Sequence, residues 1–283
     1  MSIRNITVIS IITILVLPTS FIFYWKYTHR YIPSPPRPVV DVIVKPGWNL
    51  RQIAEDWKVK GLIKSEQEFF YYLGTPPSTS APGIAPVVDW QFLVTSTLKE
   101  LLVGKPGGVS YEGYLLPETH TVYVDGGLEA IAYKFFHQLD KSITPEMRAE
   151  IIRQGKSFFE ILTMASIVEK EASGADMAMV ADIFWRRYER NWALQSCATV
   201  NYITGKSTPA VSAVDRAIDS PYNTYKYPGL PPGPISNPSL KAIIATIYPT
   251  KNDNWYFMSD TDGKTHFAKT LDEHNVNVAK YLR

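Results

Sequence analysis

The stretch SFFEILTMASIVEKE, residues 157–171, constrains this chain more than any other. Phe158, Ile161, Leu162, Met164, Ala165, Ile167 and Val168 leave only a narrow polar stripe, formed by Glu160, Thr163, Ser166 and Lys170. A helix so apolar around its circumference is largely buried, so the fold has to gather other elements around it. The segment closes on two carboxylates, Glu169 and Glu171. At about 100° per residue they lie on opposite flanks of the apolar arc, and periodicity does not choose between them. A carboxyl placed against apolar surroundings has its pKa raised, because burial disfavours the charged form. The negative end of a helix pushes the same way. That is the condition a general acid needs at neutral pH. Two solvated glutamates at a frayed helix end, with Lys170 beside them, fit the same residues.

The N-terminus carries a different signal. Residues 6–25 contain no charged side chain, and about 20 residues at about 1.5 Å each span a bilayer core of about 30 Å. Tyr24, Trp25 and Tyr27 stand where an interfacial aromatic belt is expected. The expected organisation is a cytoplasmic tail (1–5), a transmembrane helix (6–27) and a stiff Pro-rich spacer (28–38). A cleaved signal peptide fits less well, since no small-x-small site follows. Arg4 flanks one side and Lys26, Arg30 and Arg37 the other. That charge count alone would put the C-terminal side in the cytoplasm; the motifs further along argue for the opposite orientation.

Beyond the spacer the pattern is α+β. Residues 39–44 alternate as a strand, and Pro46-Gly47 turns the chain. Asn49 then caps a helix whose stripe is Leu50, Ile53, Ala54 and Trp57, and Ser65 with Glu68 forms a capping box for a second. Strand, helix, helix in this order resembles a small LysM-like glycan-binding module, placed with its linker at 39–104. Further helices are expected near 89–103, 128–139, 145–154, 158–171 and 177–190. A hairpin is expected over 255–268, turning at Asp262-Gly263, and a last helix begins after Thr270. Residues 105–283 form the expected catalytic domain, mainly helical with an antiparallel hairpin.

Composition narrows the chemistry. A net charge of +2 gives no reason to expect a nucleic-acid partner. One cysteine, Cys197, allows neither an internal disulfide nor a Cys-based zinc site. His29, His120, His137, His266 and His274 show no ligand spacing and no Gly-rich phosphate motif appears, so neither a metal nor a nucleotide cofactor is expected.

Five segments occur in one order: EGYLLPETH (112–120), ASIVEKEA (165–172), LQSCATV (194–200), YNTYKYPGLPPGPISNP (222–238) and HFAKTLDEHNVNVAKYL (266–282). Together they resemble the YceG-like family of membrane-anchored endolytic murein transglycosylases, over most of the chain from Val39 onward. The chain departs from the family pattern in three places. The usual LQSDPTV reads Cys197-Ala198 where Asp-Pro is expected. The usual FPDTY appears as Leu116-Pro117-Glu118-Thr119-His120. The usual threonine after the glutamate is Ala172.

The resemblance implies that Glu171 is the catalytic acid/base, with Glu169 as the fallback. It also implies peptidoglycan glycan strands as substrate, a single-pass anchor in the cytoplasmic membrane with the catalytic domain outside, and peptidoglycan synthases as partners. Gln195, Tyr222, Asn223 and Tyr225 are the expected sugar contacts, with Glu112 near the site. A non-catalytic glycan-binding or division scaffold and a muramidase-type hydrolase are the competing readings.

Overall fold

The computed structural model describes residues 25, 36–78, 83, 96–208 and 210–282. The chain divides after Pro38 into two compact units, Met1–Pro38 and Val39–Arg283, and the second carries the fold described below. The expected transmembrane segment lies outside the described residues except for Trp25. Among the described residues no helix is long and apolar enough to cross a membrane.

The second unit is α+β. It begins with β1 (Val39–Ile43), α1 (Leu50–Val59) and α2 (Glu66–Leu73). Asn49 caps α1 in a reciprocal box with Gln52. Ser65 caps α2 by accepting from the Glu68 N–H, while the Glu68 carboxylate takes the Lys64 N–H, one residue ahead of the expected box partner. After α3 (Ser96–Leu102) comes β2 (Thr119–Tyr123), which pairs antiparallel with β1, Val39 opposite Tyr123 and Ile43 opposite Thr119. β1 falls within the expected 39–104 module and β2 within the expected 105–283 domain. The first strand of the supposed N-terminal module finds its partner beyond that boundary, because its main-chain donors and acceptors need a ladder.

The helical part follows as α4 (Gly127–Ser142), α5 (Pro145–Arg153), α6 (Phe158–Glu171), α7 (Asp176–Glu189), α8 (Cys197–Thr204), α9 (Ala213–Arg216) and α10 (Leu240–Ile247). The hairpin β3 (Tyr256–Ser259) and β4 (Thr265–Ala268) pairs Tyr256 with Ala268, and α11 (Leu271–Tyr281) packs on it.

α6 is the axis. A Ser157–Glu160 capping box starts it, and α3, α5, α7, α8 and α10 all pack around it. Its interior is buried from Phe158 to Val168 apart from Glu160, and includes Thr163 and Ser166 of the stripe expected to be polar. Thr163 returns its hydroxyl to the Phe159 carbonyl. Ser166 accepts from the Ile235 N–H, and its carbonyl accepts the Ser236 hydroxyl. Ser166 of the narrow polar stripe is therefore where the Pro-rich loop 228–238 docks on α6. Gly113 closes the third side. Its φ is +87°, and a Cβ there would meet Pro234 Cβ at 2.8 Å. Truncating a core side chain such as Leu162 to alanine would cost about 2–5 kcal/mol.

Candidate active site

Glu171 is the last residue of α6, and Ala172 breaks the helix in an extended conformation. Its carboxylate opens on a cleft of about 540 Å³. Gly47, Asn49, Arg51, Gln52 and Glu55 from the N-terminal segment form one wall; Cys197, Ala198, Asn201, Tyr202 and the 205–208 turn form the other, with Lys170 and Ile235 completing the lining. Opposite Glu171 stands the N-terminus of α8. Ser196 is the N-cap residue of that helix but spends its hydroxyl on Glu171 Oε1 instead of on its own helix. The Ala198 N–H faces the same carboxylate. Glu171 thus lies between the negative end of α6 and the positive end of α8.

Burial raises the pKa of Glu171 above the ordinary glutamate value; the Ser196 hydroxyl, the Ala198 N–H, and the charges of Arg187 and Lys170 pull partly back. The result is a carboxyl that holds a proton more firmly than a solvated one yet has donors in place for its ionised form.

Ser196 is held from behind. Its N–H donates to Thr224 Oγ1, its carbonyl accepts from Thr199 Oγ1, and the two threonine hydroxyls bond each other at 2.9 Å. Gln195, just before it, has φ +59° and gives its N–H to the Thr224 carbonyl. A non-glycine residue in this region is strained and persists where its surroundings fix it.

Glu169 has a different environment. Its Oε2 accepts both the N–H and the hydroxyl of Ser239, the N-cap of α10. It fastens one helix end to the start of another and does not line the cleft.

The other expected contacts divide. Gln195 is exposed and Tyr225 half-buried, its phenol 3.1 Å from Cys197 Sγ. Burial first, then Cys197 and Glu171, push the Tyr225 phenol upward. Tyr222 is buried beside Tyr202. Asn223 is fully buried. Both its amide hydrogens go to the carbonyls of Arg216 and Ile218, and its oxygen accepts from the Tyr225 N–H. Asn223 thus holds its own loop, with both amide hydrogens spent on loop carbonyls. Glu112 is likewise sealed in. It accepts from the Leu50 N–H, from Asn237 Nδ2 and from the Tyr202 hydroxyl. Burial pushes it up to about 8 despite those donors. It stands behind the cleft wall, joining α1, the Pro-rich loop and α8.

Sequence reasoning missed Ser196, Arg51, Asn201, Tyr202 and Lys206. Ser196 lay inside a quoted motif, Asn201, Tyr202 and Lys206 follow directly after that motif on α8 and its turn, and Arg51 reaches the cleft from α1. Among the described residues no cluster of His, Cys, Asp and Glu is arranged to hold a metal ion.

The sequence model of the YceG-like family matches residues 30–280. An endolytic murein transglycosylase of Streptococcus pneumoniae is 35% identical over 265 residues, covering 88% of this chain and 46% of that protein. An endolytic murein transglycosylase of Bacillus subtilis is 39% identical over 173 residues, covering 60% of this chain and 48% of that protein. The crystal structure of a YceG-like protein from Listeria monocytogenes superposes with a TM-score of 0.65 at 32% identity, covering 84% of this chain and 75% of that one. This chain spans about half the length of the curated relatives it matches. With the family match running from residue 30 to residue 280, the chain belongs to the YceG-like family.

Proposed function

We propose that this chain is an endolytic murein transglycosylase that cuts the MurNAc–GlcNAc β-1,4 bond of peptidoglycan strands, with Glu171 as its acid and then its base. The observation that carries the reading is a single one: a carboxyl raised by burial at the end of a central helix, met by the Ser196 hydroxyl, and opening on a cleft. The names of the relatives point to the same reaction.

In this mechanism protonated Glu171 gives its proton to the glycosidic oxygen as that bond breaks. The substrate's N-acetyl group stabilises the positive charge at the anomeric carbon. Ionised Glu171, with Ser196 donating to it, then takes the proton of the MurNAc C6 hydroxyl, whose oxygen closes the 1,6-anhydro ring. No water is consumed, and one carboxyl does the work that two share in a hydrolase. Gln195 and Tyr225 are the expected side chains with surface to offer a sugar; Tyr222, Asn223 and Glu112 shape the wall behind them.

Residues 6–27 act in this reading as the single membrane anchor, with the catalytic unit outside and peptidoglycan synthases within reach. The strand–helix–helix run β1, α1, α2, with β1 paired to β2 further along, supports a LysM-like module. Because Asn49 and Arg51 of that module line the cleft, it serves here as part of the glycan channel.

Digestion of purified peptidoglycan by the 283-residue chain in detergent, read by mass spectrometry, tests the reaction. Anhydro-MurNAc ends support it. Reducing MurNAc ends would make the protein a muramidase-type hydrolase, and no cleavage would leave the glycan-binding scaffold.

A further inference from the structure

Arg187 is a buried charge in search of a reason. It projects from α7 and is only 6% exposed. Nη1 donates to the Leu194 carbonyl and Nη2 to the Trp255 carbonyl, while Nε has no partner. Among the described residues it forms no ion pair, in contrast to its neighbour Arg186, which bonds Asp182 at 2.9 Å. The guanidinium lies 5.2 Å from the ring centre of Trp192 and 5.7 Å from that of Tyr256. A cation taken out of water without a carboxylate to meet it is costly, and rings on two sides keep the local dielectric low, which lengthens the reach of its field.

Two features direct that field to Glu171. Leu194, which Arg187 grips, lies two residues before Ser196, the donor to Glu171. The Arg187 and Glu171 charges also fall within electrostatic range of each other. We infer that Arg187 is a positioning residue for Glu171: it supplies the positive potential in which the carboxylate forms after giving up its proton, and it fixes the turn that aims the Ser196 hydroxyl. The inference rests on the acid/base reading of Glu171.

The charged and titratable groups around the pair are few. Lys170, Arg187 and Tyr225 face Glu171, with the Cys197 thiol on Tyr225. Tyr256, Arg186, Tyr225 and His274 face Arg187. Of the two cations near Glu171, Lys170 is exposed and Arg187 is not. Salt screens an exposed charge far more than a buried one, so the two are separable by experiment.

The test is the pH profile of strand cleavage by the 283-residue chain and its Arg187→Lys and Arg187→Met variants. The reaction begins from protonated Glu171, so the basic limb reports its ionisation. Removing the cation makes the carboxylate harder to form. Arg187→Met should move the basic limb upward by about one pH unit, with a roughly tenfold lower plateau. Arg187→Lys keeps the charge but cannot grip both carbonyls, and should leave the limb in place even if it is less stable. In the unmodified chain, salt raised from about 0.05 to about 0.5 M should leave the limb unmoved. A parental limb in Arg187→Met, or a limb in Arg187→Lys that moves as in a neutral variant, would overturn the inference. So would a limb in the unmodified chain that climbs with salt, which would make Lys170 the operative cation. If Arg187→Met does not fold, the other two arms decide. The acid/base reading fails separately, if Glu171→Gln still cleaves.

Discussion

Glu171 and Ser196, 25 residues apart in sequence, are joined by a hydrogen bond in which the serine hydroxyl donates to one carboxylate oxygen. The bond runs from the start of one helix to the end of another, and the Ala198 N–H faces the same carboxylate. A donor aimed at a carboxylate favours its ionised form. Replacing Ser196 by alanine should therefore raise the pKa of Glu171 and slow the base half of the reaction. A hydrogen bond to a charged group contributes about 1.5–3 kcal/mol, so turnover should fall about ten- to a hundredfold. Steady-state cleavage rates with thermal melting in parallel check this; a loss of turnover matched by a loss of folding would not support it.

Glu169 makes the opposite prediction. Its carboxylate ties the end of α6 to Ser239 at the start of α10. Glu169→Ala should lower stability by about 1 kcal/mol and leave the cleavage products unchanged. Denaturant melts together with product analysis separate the two effects.

The raised pKa of Glu171 fixes a sign for stability. Folding favours the protonated form, so this group's contribution is fully present below the ordinary value of 4.5 and is lost as pH rises through the higher folded value. Glu171→Gln, which cannot ionise, should therefore melt above the parent at pH 8. The difference should disappear near pH 4. A variant less stable than the parent at pH 8 would contradict the burial of this carboxyl.

Cys197 offers a chemical handle. It is the single cysteine, half-buried on the cleft wall, with its thiol 3.1 Å from the Tyr225 hydroxyl. Alkylation with a maleimide should block cleavage by filling the cleft beside Glu171. Cys197→Ala should keep most of its activity and lose the sensitivity. Equal inhibition of both proteins would place the effect elsewhere.

Much of the scaffold was legible because its signals are local. Asn49, Ser65 and Thr270 announce helix starts, and the apolar run of α6 announces its burial. The ring of contacts around that run was not legible, because it depends on distant segments. β2 is a short strand, THTVY, whose reason for existing is β1, some eighty residues earlier. α10 is only eight residues long and follows directly on the Pro-rich loop, so its cap at Ser239 has little helical periodicity behind it. Within the site, the resemblance pointed to Glu171 where periodicity left two glutamates open. What separates them physically is Ser239 on one and Ser196 on the other, and neither partner is near in sequence. Asn223 reads in sequence as a polar side chain of a Tyr- and Pro-rich loop, and that its amide hydrogens go to the loop's own carbonyls depends on a folded geometry that spacing does not give. Buried Arg187 sits in a run, RRYER, that reads as a solvated basic face.

The most direct measurement is digestion of peptidoglycan by the parent chain and by its Glu171→Gln and Glu169→Gln variants, with the released ends identified by mass spectrometry. The account predicts 1,6-anhydro-MurNAc ends from the parent and from Glu169→Gln, and none from a folded Glu171→Gln. Anhydro ends from Glu171→Gln at the parental rate would contradict it.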